Sequence, residues 1–465
     1  MHRVFSLEPK DVPHIETKNR IIKTQMPAPS SVEIIKAMRD YEPVSMSGQP
    51  PVVWDKAIGT SVYDKSGNKW IDFSSGVVVA NSGHCNPEVQ QAVLDIVSHG
   101  MMHSYCFPTE KRGELEALIS SVVPIPDNRV FLLTTGAEST ECAIKLARTY
   151  GGRKSGSEKI TIVTFDDAFH GRTMGSQMAG GSPSGKKWIV NQDKNIVQVP
   201  FPNAFKYDWA DESNPNYSDE DCFNHFLSAL EEKGVKPESI AGIMTETFQG
   251  GWCQLMPKGF VQKLRAFCTE NDILMIFDEV QAGFGRTGKW FGFMHADVTP
   301  DLICCGKGVS GGMPLSCVVG RADIMNLYGP CEMTSTHSGN PVCSAAAVAN
   351  INYIKNHDLV GNAAKMEKIC CEKLGALKEK YADHVGFVSG VGLAWSVIFT
   401  KPGTKEMDCV FAEDVCEKCI EKGLMLFAPV GNGATIKVVP PLVIDEETLI
   451  EGIGVLDEAI AETLA

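Results

Sequence analysis

The run Ile273-Leu274-Met275-Ile276-Phe277 breaks abruptly into Asp278-Glu279. Five consecutive apolar, β-rich residues without alternation suit a strand buried on both faces, the place of a central strand in a helix-covered parallel sheet. Charge then falls at the strand's carboxyl end. A second apolar run, Leu302–Cys305, ends in the same manner and leads into Gly306-Lys307-Gly308, where the glycines leave the lysine's surroundings sterically open. Open α/β sheets bind ligands outside the carboxyl ends of their strands, so Asp278 and Lys307 are expected to face one crevice.

A lysine amine can form a Schiff base with pyridoxal phosphate, and an aspartate can keep the pyridine nitrogen protonated so that the ring accepts electrons from a substrate carbanion. The block DEVQAGFGRTG, from Asp278, and then PDLICCGKGVSGGMPLS, from Pro300, resembles the signature of the class III (ω-amino acid type) pyridoxal-phosphate aminotransferases. The resemblance implies an α/β chain of the type I fold of pyridoxal-phosphate-dependent transferases. A large domain with a mostly parallel sheet flanked by helices is expected at 74–335. Residues 1–73 (an N-terminal arm and part of the small domain) and 336–465 complete a small α+β domain from both termini.

By the same resemblance, Lys307 is the Schiff-base lysine and Asp278 the partner of the ring nitrogen. The other roles follow motif by motif. TTGAES places Gly136 and Ala137 in a phosphate loop, and a glycine-bearing turn between a strand and a helix is in any case a ready anion site. FHGRT places Phe169 on one face of the ring, with Val280 on the other, and gives Arg172 to the distal carboxylate of 2-oxoglutarate, which a guanidinium fork suits. Gln281 is expected at the phenolic oxygen. In TSTHSGNP, Thr336 is expected to reach the phosphate of the neighbouring subunit, which implies a homodimer with shared active sites or a dimer-based tetramer. SSGVVVANSGHCNP places Val77 on the substrate side, TETFQG makes Glu246 the acidic half of a substrate switch, and IKVVPPL carries Lys437 where the family usually has an arginine for the α-carboxylate. Lysine keeps the charge but loses the planar fork.

Composition narrows the alternatives. A net charge of −14 disfavours a general nucleic-acid or anionic-membrane surface, and no apolar stretch approaches a membrane span. The N-terminal residues are broken by charge and proline every few positions, unlike a secretory signal, which makes the cytoplasm the expected location. The sixteen cysteines are scattered through apparent strands and helices, and Cys416-Glu417-Lys418-Cys419 has no second ligand pair at zinc spacing, so reduced core thiols and no metal are expected. Gly283-Phe284-Gly285-Arg286-Thr287-Gly288 fits a dinucleotide pattern by spacing, but aromatic residues and more glycine follow it, so it reads as a loop.

The expected reaction is transfer of an amino group from an ω-amino acid, such as 4-aminobutyrate or taurine, to 2-oxoglutarate, giving an aldehyde and glutamate. The alternative is an amino-acid racemase or epimerase of the same family, with which Lys437 would be compatible.

Overall fold

The computed structural model describes residues 3–465, which divide into two compact units. The larger comprises 87–250 and 254–357. Its strands β1 (Asn128–Leu133), β2 (Thr161–Phe165), β3 (Ile196–Val199), β4 (Ile240–Thr245), β5 (Leu274–Asp278), β6 (Leu302–Cys305) and β7 (Ser316–Arg321) form one sheet in the order β1-β7-β6-β5-β4-β2-β3. Only β7 runs antiparallel to its neighbours, β1 and β6; the pairs along β6-β5-β4-β2-β3 are all parallel. Every residue of β2, β4, β5 and β6 is buried, as unbroken apolar runs require.

Helices α1 (Pro87–Ser98), α2 (Glu110–Val122), α3 (Gly136–Ser155) and α4 (Pro341–Asn356) belong to this unit. The buried side of α3, with Ala143, Leu146, Ala147 and Tyr150, joins Ile162, Met244, Ile276 and Leu302 from the sheet in one core. Each fully buried Leu or Ile there contributes about 1.5–3 kcal/mol. Residues 283–288 are turns, not the start of a helix.

Among the described residues the smaller unit gathers 3–86, 251–253 and 358–465, so segments from both ends of the chain build it. One of its sheets follows the order Ile15–Glu16, Ile21–Ile22, Lys69–Asp72, Ser61–Tyr63, Lys56–Ile58, with Leu424–Met425 parallel to Lys69–Asp72. Asp64 makes a turn here: its carboxylate accepts the N–H groups of Ser66 and Asn68, and Gly67 lies between them at φ +86°. A second, antiparallel sheet holds Val385–Val391, Ala394–Phe399 and Thr435–Val438. Cys416 and Cys419 are fully buried in the helix Cys409–Glu421, and burial pushes the Cys416 thiol up to about 12.

The breaks fall at 86/87 and 357/358, later than the expected 73/74 and 335/336. Two sets of contacts move them. Ser75 Oγ donates to Val439 O at 2.6 Å and Leu442 N to Asn81 O at 2.9 Å, which ties 74–86 to the smaller unit. At the other end, α4 packs on α1 and α2 and so stays with the larger one. Among the described residues, no helix is long and apolar enough to cross a membrane.

Candidate active site

Asp278 is the last residue of β5 and pairs in register with Cys304 of β6, so its carboxylate emerges at the carboxyl edge of the sheet. It is 4% exposed. Oδ1 accepts the N–H of Val280 at 3.0 Å, and Oδ2 lies 2.7 Å from Nδ1 of His170. A carboxylate only accepts, so Nδ1 carries the proton in this pair. Burial alone would lower the basicity of His170, but the bond to Asp278 and the charges of Asp278 and Glu246 outweigh it and raise the ring's pKa. Asp278 thus has a buried histidine as its partner, which the sequence reading passed over although His170 stands between Phe169 and Gly171.

Lys307 lies two residues beyond β6, half-buried, with φ at +44°, a region lysine rarely occupies. The turn is pinned from α4: Asn350 Nδ2 donates to Gly308 O and Val309 O, both at 2.9 Å. Val280 fills the gap between this turn and the start of α3. A Cβ at Gly136 would lie 2.9 Å from a Val280 methyl, and one at Gly306 would lie 3.2 Å from it, so both glycines permit a backbone approach that a side chain would block.

Thr135 caps α3 in a capping box: its hydroxyl accepts Glu138 N at 3.3 Å, while Glu138 Oε2 accepts the N–H groups of Thr134 and Thr135, each at 2.9 Å. Ser139 N bonds Thr135 O. The N–H groups of Gly136 and Ala137 then have no acceptor among the described residues, and they stand at the positive end of a twenty-residue helix.

The loop after β2 lies against that helix start. Thr140 Oγ1 donates to His170 O at 2.7 Å and Ser176 Oγ to Ala137 O at 2.9 Å. Phe169 is 52% exposed, and the guanidinium of Arg172 sits over its ring, 5.4 Å from the centroid. Arg172 itself is exposed and forms no ion pair among the described residues.

Glu246 departs from the expectation of a switch. It is 6% exposed, and its two oxygens accept backbone N–H groups, Phe169 to Oε2 and Gly250 to Oε1, both at 3.0 Å. Burial raises its pKa, against the opposing charge of His170. Thr247, where the family commonly has proline, donates its hydroxyl to Glu279 at 2.8 Å. Glu279 also accepts Gly292 N and Phe293 N, at 2.7 and 2.9 Å, and its burial pushes the carboxyl up to about 7. Neighbouring side chains of an extended backbone point to opposite sides, and the two acids accordingly serve different partners: Asp278 faces His170, Glu279 the 290–296 segment.

Gln281 comes close to the backbone of Gly250, where an added Cβ would be 2.1 Å from Gln281 Oε1. Thr336 is exposed in the larger unit. Val77 and Lys437 belong to the smaller unit. Val77 is half exposed and lies in a left-handed turn with Ser75, Gly76 and Val78, at φ values of +48° to +66°. Lys437, on the strand Thr435–Val438, pairs with Ser396 and is 4% exposed. The larger unit thus brings together Lys307, Asp278, Val280, Gln281, Gly136, Ala137, Phe169, Arg172 and Glu246 on elements of one sheet edge.

The fold and these residues define a pyridoxal-phosphate-dependent transferase of fold type I. A taurine:2-oxoglutarate aminotransferase from Bifidobacterium kashiwanohense, solved in complex with pyridoxal phosphate and glutamate, superposes with a TM-score of 0.82 over 93% of this chain and 98% of its own, at 28% identity. The chain belongs to the class-III aminotransferases, the family "Aminotransferase class-III" matching residues 44–460. A 4-aminobutyrate aminotransferase of Mycobacterium leprae is 31% identical over 96% of this chain and 99% of its own length. A leucine/methionine racemase of Thermococcus litoralis is 32% identical over 89% of this chain and 91% of its own. The cofactor of the family is pyridoxal phosphate, and the residues here fit it: a half-buried lysine, a buried aspartate hydrogen-bonded to a buried histidine, and two unclaimed amides at a helix start.

Proposed function

We propose that the protein moves an amino group from an ω-amino acid, such as 4-aminobutyrate or taurine, to 2-oxoglutarate, giving an aldehyde and glutamate. The observation that carries this reading is Arg172: an exposed guanidinium held over the Phe169 ring, with no acidic side chain paired to it among the described residues. Such a group suits bidentate capture of a distal carboxylate or sulfonate. The names of the Mycobacterium and Bifidobacterium relatives support the donor class.

When bound, the cofactor supplies an electron sink for the substrate carbanion. Lys307 would hold it, and the Lys307 Nζ would move the proton at the substrate carbon. Asp278, hydrogen-bonded to His170 and to the Val280 N–H, would hold the ring nitrogen protonated. Gly136 and Ala137 would take the phosphate through their amides, Phe169 and Val280 would cover the two ring faces, and Gln281 would meet the phenolic oxygen. Val77 is proposed for the substrate side, and Lys437 as the cation for an α-carboxylate. Thr336 acts across a homodimer, and the enzyme works in the cytoplasm.

The test is a donor screen: protein, cofactor and 2-oxoglutarate with 4-aminobutyrate, β-alanine, ornithine or taurine, followed by assay for glutamate. At least one donor is expected to yield glutamate; none doing so overturns the reading. The Thermococcus relative motivates a second arm. Exchange of an amino acid's α-proton for deuterium with inversion, in the absence of any oxo acid, would instead identify a racemase.

A further inference from the structure

Three loops meet around one carboxylate. Glu246 follows β4, the strand between β5 and β2, and its oxygens accept Phe169 N from the loop after β2 and Gly250 N from its own loop, each at 3.0 Å. A second bond joins the same two loops, from Gln249 Nε2 to Asp166 O at 2.7 Å. Gly250 in turn lies against Gln281, from the loop after β5: a Cβ there would meet Gln281 Oε1 at 2.1 Å and Glu246 Oε1 at 3.1 Å. Among the described residues no lysine or arginine pairs with Glu246. Swinging the carboxylate towards a distant cation would break both of these hydrogen bonds at a buried site, which is costly.

We infer that Glu246 is a positioning residue whose carboxylate bridges the Phe169 and Gly250 loops and so sets the ring of Phe169 and the side chain of Gln281 on either side of the Asp278 strand end. This rests on the proposed roles of Phe169 and Gln281 at the cofactor. It also replaces the mobile switch expected of this residue. A bridge serves every substrate alike, whereas a switch serves only the one whose α-carboxylate requires the cation to be released.

The experiment uses the full chain, with and without cofactor, as wild type, Glu246→Ala and Glu246→Gln. Amide hydrogen exchange reads the bridge directly. In Glu246→Ala the Phe169 and Gly250 amides are expected to exchange about tenfold faster or more, with the amides of Ala143–Leu146 in α3 unchanged. Glu246→Gln keeps one accepting oxygen but turns an NH₂ towards the other amide, so only one of the two should lose protection. Single-turnover measurements then follow the donor and the glutamate half-reactions separately, and the cofactor's Kd is measured on both variants. Expected are slowing of both half-reactions by the same factor and a weakened Kd. Unchanged exchange at Phe169 and Gly250 overturns the inference, as does loss confined to the glutamate half-reaction, or faster exchange with neither half-reaction nor Kd altered. If the wild type makes no glutamate from any donor, the exchange and Kd measurements still decide the bridge independently of the reaction.

Discussion

Replacing Gly171 by alanine tests how the site is put together. Gly171 has φ +133°, and a Cβ on it would lie 2.6 Å from Ala137 Cβ and 2.9 Å from both Ala137 Cα and Ser176 Cβ. Carbon atoms in contact prefer about 3.5–4.0 Å, and one of these neighbours is backbone, so the start of α3 or the 169–173 loop would have to shift. The strained φ costs about 1–3 kcal/mol and the overpacking about 1–3 kcal/mol, which puts Gly171→Ala near 3 kcal/mol as an order of magnitude. For a chain of this size, that corresponds to a fall in melting temperature of roughly 3 °C. Gly152→Ala, in the same helix but with no atom within 4 Å of the added Cβ, is the control. It should gain up to about 1 kcal/mol of helix propensity and melt slightly higher. Thermal unfolding of cofactor-free protein gives both numbers. Cofactor titration adds a third, because displacing Ala137 should weaken phosphate binding in Gly171→Ala alone. A Gly171→Ala protein that melts with or above the wild type would refute the packing of the FHGRT loop against the helix start.

Arg172→Met should raise KM for 2-oxoglutarate by about 10- to 100-fold, the worth of a charged hydrogen-bonded pair, with little change in melting temperature; steady-state kinetics against a monocarboxylic oxo acid check this. Asp278→Asn should lower kcat by about 100-fold or more and leave Lys307 still trapped on the cofactor by borohydride, as read by mass spectrometry. Glu279 makes a pH prediction. Its pKa is raised from 4.5 to about 7, so between those values the folded protein keeps a proton that the unfolded chain has lost, and stability falls as pH rises through this window. The stability of wild type relative to Glu279→Gln, from denaturant melts, should therefore drop by about 3 kcal/mol between pH 4.5 and pH 7; a flat difference would show that the carboxyl stays ionised.

How much was legible in the chain follows from which interactions are local. Ile273–Phe277 and Leu302–Cys305 read as buried strands because continuous apolar runs have few other uses, and both form β5 and β6 at the centre of the sheet. Asp278, Lys307 and Gly136-Ala137 could be picked out because strand ends and helix starts are set by neighbours in sequence, and the chemistry of each group is its own.

Tertiary structure decided what lies between distant residues. His170 and Asp278 are 2.7 Å apart across two strand ends, and no spacing in the chain announces it. Glu246 was expected as the acidic half of a switch, and only the fold shows that it is buried with both oxygens given to amides from two loops. The break after 357 follows from where α4 finds a surface to bury, not from its own composition. Periodicity and turn residues determine which segments become strands, helices and loops, because those preferences act over a few residues. Burial, charge state and partnership depend on which segments the fold brings together, and only the packed chain fixes those.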